Sequence, residues 1–450
     1  MIDRRTFLAL TGAAGAGALI TGCANRSGSG PNEVRLWGMG GVEAEAQQQI
    51  VDAFTAENPS VTVSQSLVPS TGTGDATAAI TAVRGGTAPD LWLMDRFAVA
   101  QYASLGLLEP LDPLIAQHEN DDFLDQWMPF ALNELRYDGQ IYGLPFDTDS
   151  RGVFYNRTTL ADSGLDPDEL DPSNGPVTLD RVLEMNGQIA QEDDRGNYTR
   201  LGLIPWDAEG WALTWMFGKG AVFFDDATCA VDVSSDEVVG VLDSFYTWAR
   251  EMDYPRVDAF KATYQPPNAP PAQTSFFGGQ QGMQISGPFT INSIATYVPD
   301  LDYGFTYLPL WNEGDDPYTW SGGFSLVAPR GSSLSPAVWE FIKFYCGAPG
   351  QRIAMTPLKK IPTHLDVLAD PEGFDQNLSF FADQLEFSTS RPPLPIGSLF
   401  WDSLVQAQQS VLIGSADAQT AAERAQARVT PQMDLYCPFE LPPGFGTTGA

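Results

Sequence analysis

Pro89-Asp90-Leu91-Trp92-Leu93-Met94-Asp95 is the stretch whose reading decides the fold. An apolar run bounded by a proline and an aspartate predicts a buried strand over residues 90–94. Upstream, residues 34–37 form a short apolar strand, and residues 43–57 place Ile50, Val51 and Phe54 at helical spacing before Asn58-Pro59 stops the helix. Residues 61–67 alternate as a second strand, and residues 77–84 form a second helix. The order βαβαβ predicts a parallel sheet. Such sheets bind ligands beyond the carboxyl ends of their strands, which directs attention to the residues just after Trp37 and Met94.

A second α/β series begins near Gly143. Strands are expected at 152–155, 202–205, 283–285, 303–308 and 324–328, and helices at 179–191, 211–218, 238–251, 337–346 and 400–411. In the helix over 238–251, Val241, Leu242, Phe245 and Trp248 share one face.

The N-terminus carries a different message. Arg4-Arg5 precede an apolar run, 7–20, that is too short to span a bilayer and ends in Leu19-Ile20-Thr21-Gly22-Cys23. This is the pattern of a lipoprotein export signal over residues 1–22, with twin arginines suited to Tat export and Cys23 as the lipid attachment point. Residues 23–32, rich in Ser, Gly and Asn, have the composition of a flexible linker. The remaining chain of about 420 residues exceeds what one hydrophobic core usually supports, so two domains are expected.

Composition narrows the partners. Fifty-seven acidic against 24 basic residues give a net charge of −33, which argues against nucleic acid, and disfavours anionic ligands. Four cysteines and two histidines without a Cys-x-x-Cys pair make a zinc site improbable, and no cofactor motif is present. With Cys23 acylated, three cysteines remain, one disulfide and one thiol, whose pairing is open at this point.

An ordered series of motifs runs through nearly the whole mature length: Ala88-Pro89-Asp90 leading into Asp95-Arg96-Phe97, Ser104-Leu105-Gly106-Leu107-Leu108, Tyr137-Asp138-Gly139-Gln140-Ile141-Tyr142-Gly143-Leu144-Pro145 and Phe154-Tyr155-Asn156. It continues through Phe276-Phe277-Gly278-Gly279, Ser286-Gly287-Pro288-Phe289, Gly322-Gly323-Phe324 and Phe341-Ile342-Lys343-Phe344-Tyr345. In this series the chain resembles the extracellular solute-binding proteins, family 1, of carbohydrate ABC transporters, the group that includes the maltodextrin-binding proteins. The resemblance implies an α/β, type II periplasmic-binding-protein fold of two discontinuous lobes, 33–148 with 325–370 and 149–324 with 371–440, the ligand lying in the cleft between them. Hinge crossings are then expected near 146–151, 320–324 and 369–374.

The resemblance also implies site residues. Asp95 and Arg96 match positions that hold sugar hydroxyls, with a structural ion pair as their other reading, and Asp149 falls where the family places an acidic ligand residue. Phe289 and Trp401 match aromatic platforms for the apolar C–H faces of a sugar, and Trp206 and Trp211 bracket the loop that supplies a further one. Trp320 and Gly322 stand beside the second crossing, where Trp320 either lines the cleft or packs the hinge; Trp37 reads as core. On this lobe assignment Cys229 and Cys437 both fall in the second lobe and Cys346 on a helix of the first, so Cys229 with Cys437 is the expected disulfide. The segment Gly38-Met39-Gly40-Gly41-Val42 lacks the Asp-Lys pair of maltodextrin binders, which leaves the sugar unidentified.

The implied function is capture of a neutral sugar or oligosaccharide of the maltodextrin or disaccharide type by a monomeric, membrane-anchored, exported protein that closes on its ligand and delivers it to a membrane permease. A polyol or a glycerophosphate-like solute is the alternative for the same fold. A glycoside-acting enzyme would have to use carboxylates such as Asp95 and Asp149 as acid and base, and the sequence contains no Gly-x-Ser-x-Gly, His-Glu-x-x-His or P-loop motif.

Overall fold

Strand Leu91–Asp95 lies at the centre of a five-stranded sheet ordered Thr62–Val68, Glu33–Met39, Leu91–Asp95, Phe324–Val327, Gly143–Pro145. The structure, a computed structural model, describes residues 30–40, 43–68, 77–267, 269–270, 272–370 and 374–445. The leader with Cys23, the linker up to residue 29, Gly41-Val42, and residues 371–373 of the expected third crossing therefore lie outside the described residues. The first three strands pair in parallel, as the helices Glu43–Glu57 and Thr77–Gly85 between them require, and the last two add antiparallel. Phe54 of the first helix packs edge-on against Phe341 of helix Pro336–Cys346, with ring centroids 5.0 Å apart, so both helices close over the same face. Trp37 departs from the core reading: it is half-buried and meets Trp92 edge-on at 5.7 Å.

The second sheet is ordered Tyr303–Thr306, Gly152–Asn156, Gln281–Ser286, Tyr198–Leu203, Gln191–Glu192. Strand Gly152–Asn156 shows why it is buried on both sides. Val153 and Tyr155 point into the large core beneath helices Leu179–Ile189, Asp236–Glu251, Gly397–Leu412 and Ala418–Met433, while Phe154 points into a smaller core with Phe276, Ile291 and Phe381. The helix starts are fixed locally by side-chain caps: Asn156, Thr178, Ser235 and Ser335 each accept the backbone N–H three residues on. Each sheet with its helices makes one lobe, and the two together form a type II periplasmic-binding-protein fold.

Helix Ala418–Met433 has no counterpart in the sequence reading. Its buried face is Ala418, Ala421, Ala422, Ala425, Val429 and Met433, small residues whose apolar stripe is weak against the surrounding Gln and Arg. The lobes communicate through narrow strand pairs. Asp147–Thr148 pairs antiparallel with Ile361–Pro362, and Thr319–Ser321 pairs parallel with Ser388–Ser390. Ser150 donates to the Phe381 carbonyl at 2.8 Å, and the Thr319 hydroxyl bonds both backbone groups of Arg151, accepting from its N–H at 2.7 Å and donating to its carbonyl at 3.0 Å.

Cys229 and Cys437 are joined by a disulfide across 208 residues of chain. Cys346 is buried among first-lobe residues and its thiol is pushed well up by burial. Among the described residues no helix is long and apolar enough to cross a membrane. Replacing Cys229 and Cys437 together with serine should lower stability by about 2–5 kcal/mol, because a long loop is released in the unfolded chain. Urea unfolding followed by fluorescence measures it, and wild-type stability in the double variant would contradict a structural role for the bond.

Candidate ligand-binding cleft

At the end of strand Leu91–Asp95 the chain turns sharply: the Asp95 carboxylate accepts the Phe97 N–H at 3.0 Å and so begins the short turn Arg96–Ala98. That turn sends Arg96 inward, where it is wholly buried. Its Nε donates to Glu134 Oε2 at 2.5 Å, its Nη2 to the Gly322 carbonyl at 2.6 Å and its Nη1 to the Asp147 carbonyl. One planar guanidinium thus ties the strand end to both of the first two crossings. The expectation that Arg96 holds ligand is corrected, because all three nitrogens are committed within the protein and the side chain does not line the cleft. Burial pushes the Glu134 carboxyl up, and the charges of Arg96 and Arg391 pull against that shift. Gly323 sits at φ +141° against this knot; a Cβ there would collide with Arg96 Nη1 and the Asp147 carbonyl.

Over the knot opens a cleft of about 500 Å³. Its second-lobe wall is aromatic. Trp211 precedes helix Ala212–Gly218 and Trp401 lies in the first turns of Gly397–Leu412; their rings meet edge-to-face with centroids 5.8 Å apart, and both are only half-buried. Phe289, the first residue of helix Phe289–Tyr297, adds a third ring, and Asn292 and Ser293 follow one turn on. Trp206 is not part of this wall: it is buried against Tyr254, centroids 5.9 Å apart, so of the two bracketing tryptophans it is Trp211 that lines the cleft. Trp320 reaches the floor, but its Nε1 donates to Thr214 at 2.8 Å and the Arg151 guanidinium covers its face at 3.8 Å. Its packing is that of a hinge residue.

The polar floor is a set of ion pairs. Asp149 Oδ1 accepts from Arg151 Nη1 at 2.5 Å and from the Gly322 N–H at 2.7 Å, and Arg151 Nε donates to Glu209 at 3.1 Å. Burial alone would raise the Asp149 carboxyl, but the Arg151 charge and these hydrogen bonds outweigh it and hold the group below the usual carboxylate range. Asp95 Oδ1 also accepts from Arg391 Nη2 at 2.7 Å, and the Arg391 guanidinium lies among the rings of Phe97, Trp320 and Trp401. On the first-lobe side Lys360 pairs with Asp147 at 3.2 Å and Glu43 at 3.3 Å. Burial alone would lower Lys360, but those two carboxylates outweigh it and raise the ammonium. The Asp147 carboxyl is itself pushed up by burial against the pull of Lys360.

Of the residues expected from sequence, Asp95, Asp149, Trp211, Phe289, Trp320, Gly322 and Trp401 are brought together, while Arg96 and Trp206 are not. Arg151, Glu209, Arg391, Lys360 and Glu43 line the cleft without having been singled out. The available signal was scarcity: in a chain with 24 basic residues, an arginine inside a crossing and another directly before Pro392-Pro393-Leu394-Pro395 stand apart from a solvated surface.

Two α/β lobes, narrow crossings and an aromatic-walled cleft over paired charges define a binding protein that holds a small molecule between its lobes. The chain belongs to the bacterial extracellular solute-binding protein family, whose profile matches residues 49–382. It is 24% identical over 366 residues to the maltotriose-binding protein of Pyrococcus abyssi (strain GE5 / Orsay), covering 78% of this chain and 72% of that one. Among solved structures, CpMnBP1 with mannotriose bound superposes with a TM-score of 0.77 at 21% identity, covering 88% of this chain and 99% of that one. The GacH receptor of Streptomyces glaucescens GLA.O gives 0.73 at 22% identity, with 89% and 98% covered.

Two outcomes follow from the charges. Removing Arg96 strands a buried Glu134 carboxylate, so Arg96→Leu should cost about 3–5 kcal/mol in urea unfolding; a near-neutral result would deny Arg96 its role as a tie. Asp149 has its folded pKa below its unfolded one, so the unfolded state binds more protons as pH drops past about 4, and the stability this pair contributes is lost as pH falls through the folded value. Acid unfolding of Asp149→Asn should therefore show a shallower dependence on pH below about 4 than wild type, and an identical acid limb would contradict the assignment.

Proposed function

We propose that the protein captures a neutral sugar, of the size of an oligosaccharide of a few units, and hands it to the permease of an ABC importer. The observation that carries this is the half-exposed Trp211–Trp401 pair lining one cleft together with Asp95, Lys360 and Glu43. Rings offer faces to the C–H surface of a pyranose, and carboxylates and ammonium groups serve its hydroxyls. The cleft lining carries four carboxylates (Glu43, Asp95, Asp149, Glu209) against three cations (Arg151, Lys360, Arg391), which disfavours a phosphate or other anion and supports an uncharged ligand. Asp149 is held ionised by Arg151, so it does not stand as the protonated acid that glycoside hydrolysis needs, and Asp95 accepts from Arg391. Membership in an extracellular solute-binding family supports export, and the relatives' ligands, maltotriose and mannotriose, are the first to try.

A ligand closes two lobes only through contacts it gains from both. The test is a melting-temperature screen across mono-, di- and trisaccharides, since a ligand that binds only the folded state raises stability by mass action. A sugar that raises the midpoint should also quench tryptophan fluorescence and decrease the radius of gyration in solution scattering. Trp401→Ala should weaken it about tenfold or more while the protein stays folded, combining lost stacking with lost buried area. No response to any saccharide, or an unchanged affinity in a folded Trp401→Ala protein, would sink the proposal. Anchoring is tested separately: mass spectrometry of the mature protein should find a lipid-modified Cys23 as its first residue, and an unmodified Cys23 would count against the membrane tether.

A further inference from the structure

Three buried arginines gather at the crossings, and they differ in how much of their hydrogen-bonding capacity the protein itself uses. Arg96 commits all of its nitrogens. Arg151 commits two, Nη1 to Asp149 and Nε to Glu209, and lays its face on Trp320. Among the described residues Arg391 makes a single hydrogen bond, from Nη2 to Asp95 Oδ1 at 2.7 Å, and its buried Nε has no partner. Yet Arg391 is only 5% exposed and lines the cleft. A buried guanidinium with unmet donors is costly unless something else brings acceptors to it.

The chain around Arg391 holds it in place. Strand Ser388–Ser390 pairs in parallel with Thr319–Ser321 and delivers Arg391 to the cleft, and Pro392 and Pro393 directly after it lack the N–H groups that would continue the pairing. The guanidinium then lies 4.6 Å from the ring centroid of Phe97, 5.2 Å from that of Trp320 and 5.9 Å from that of Trp401. Rings on several sides keep water from the cation, which strengthens the hydrogen bonds it makes. Asp95 is the other half of the arrangement. Its Oδ1 takes both the Phe97 N–H and Arg391, while its Oδ2 accepts from none of the described residues. A free carboxylate oxygen and free guanidinium donors therefore stand side by side in the cleft, on two groups whose charges cancel.

We propose that Arg391 and Asp95 together read two adjacent hydroxyls of the sugar: one hydroxyl donates to Asp95 Oδ2 while the oxygen of its neighbour accepts from Arg391. The proposal rests on the sugar reading above and names the chemical group recognised, a vicinal diol. A hydroxyl both donates and accepts, so a diol serves the acceptor and the donor at once. A phosphate or carboxylate offers Asp95 no donor and meets its charge. Arg391 is then the specificity-determining cation of the cleft, because a site built to hydrogen-bond a hydroxyl rejects the analogue lacking it far more strongly than an apolar pocket does.

Two variants that remove the donors but differ in shape, Arg391→Met and Arg391→Leu, are titrated beside wild type with maltotriose, with mannotriose and with monodeoxy forms of whichever trisaccharide binds. On wild type, removing either of two adjacent hydroxyls should weaken binding about tenfold or more. In both variants the parent trisaccharide should bind about tenfold or more weakly, and the form lacking the hydroxyl that accepts from Arg391 should bind as the parent does. A shift in lobe closure scales the affinities for parent and deoxy forms alike, so their ratio reports the diol contact by itself. Absence of an adjacent pair of sensitive hydroxyls, or a wild-type ratio kept in the folded variants, overturns the proposal. Urea unfolding without ligand adds an arm that depends on no sugar. Asp95→Asn combined with Arg391→Met should leave the midpoint at or above that of wild type, since a buried pair with unmet donors adds little to the fold. A midpoint well below wild type would make Arg391 a structural tie and overturn the proposal. If neither trisaccharide binds wild type, the sugar reading fails by itself, and the urea midpoint still decides whether Arg391 is held for a ligand.

Discussion

The structure depends on buried guanidinium groups meeting buried carboxylates and carbonyls where the chain passes between its lobes. In a chain with a net charge of −33, Glu134, Asp147 and Asp149 would be costly to bury without partners. Arg96, Arg151 and Lys360 make that burial tolerable, and their geometry does more than neutralise. The Arg96 fork fixes the end of strand Leu91–Asp95, the first crossing through the Asp147 carbonyl and the second through Gly322, so three distant segments share one origin. Gly323 is the backbone concession that allows it.

Rigidity at that point has a consequence for the cleft above it. A floor of ion pairs presents carboxylate oxygens already aimed by their arginines. Asp95 is the clearest case, held by both the Phe97 N–H and Arg391. Rings and polar groups are interleaved in the lining: Trp211, Phe289 and Trp401 from the second lobe and Phe324 from the first stand among charged and polar groups of both lobes. Such a lining suits a ligand with apolar faces and hydroxylated edges.

Much of the secondary structure was legible because burial repeats with a local period. The helices at Glu43–Glu57 and Asp236–Glu251, and the strand at Leu91–Asp95, follow from apolar spacing and flanking caps within a residue or two. Helix Ala418–Met433 was not legible, since alanines make a stripe that hydropathy barely registers. Asp95, Asp149, Trp211, Phe289 and Trp401 were located through an ordered series of motifs, in which position along the chain stands in for position in space.

What sequence alone determined is therefore local or ordinal: element types, the presence of two lobes, and a short set of residues near their junction. Which of those residues line the cleft was decided by tertiary structure. Asp95 and Arg96 are neighbours in the chain, yet the turn that Asp95 caps leaves its carboxylate on the cleft and sends the guanidinium into the hinge. Trp206 and Trp211 are five positions apart, and packing against Tyr254 buries one while the start of a helix presents the other. Arg391 became a site residue only because its strand returns beside Thr319–Ser321, about 70 positions earlier in the chain. Side-chain direction and long-range strand pairing have no local period, and for that reason no reading of neighbours along the chain supplies them.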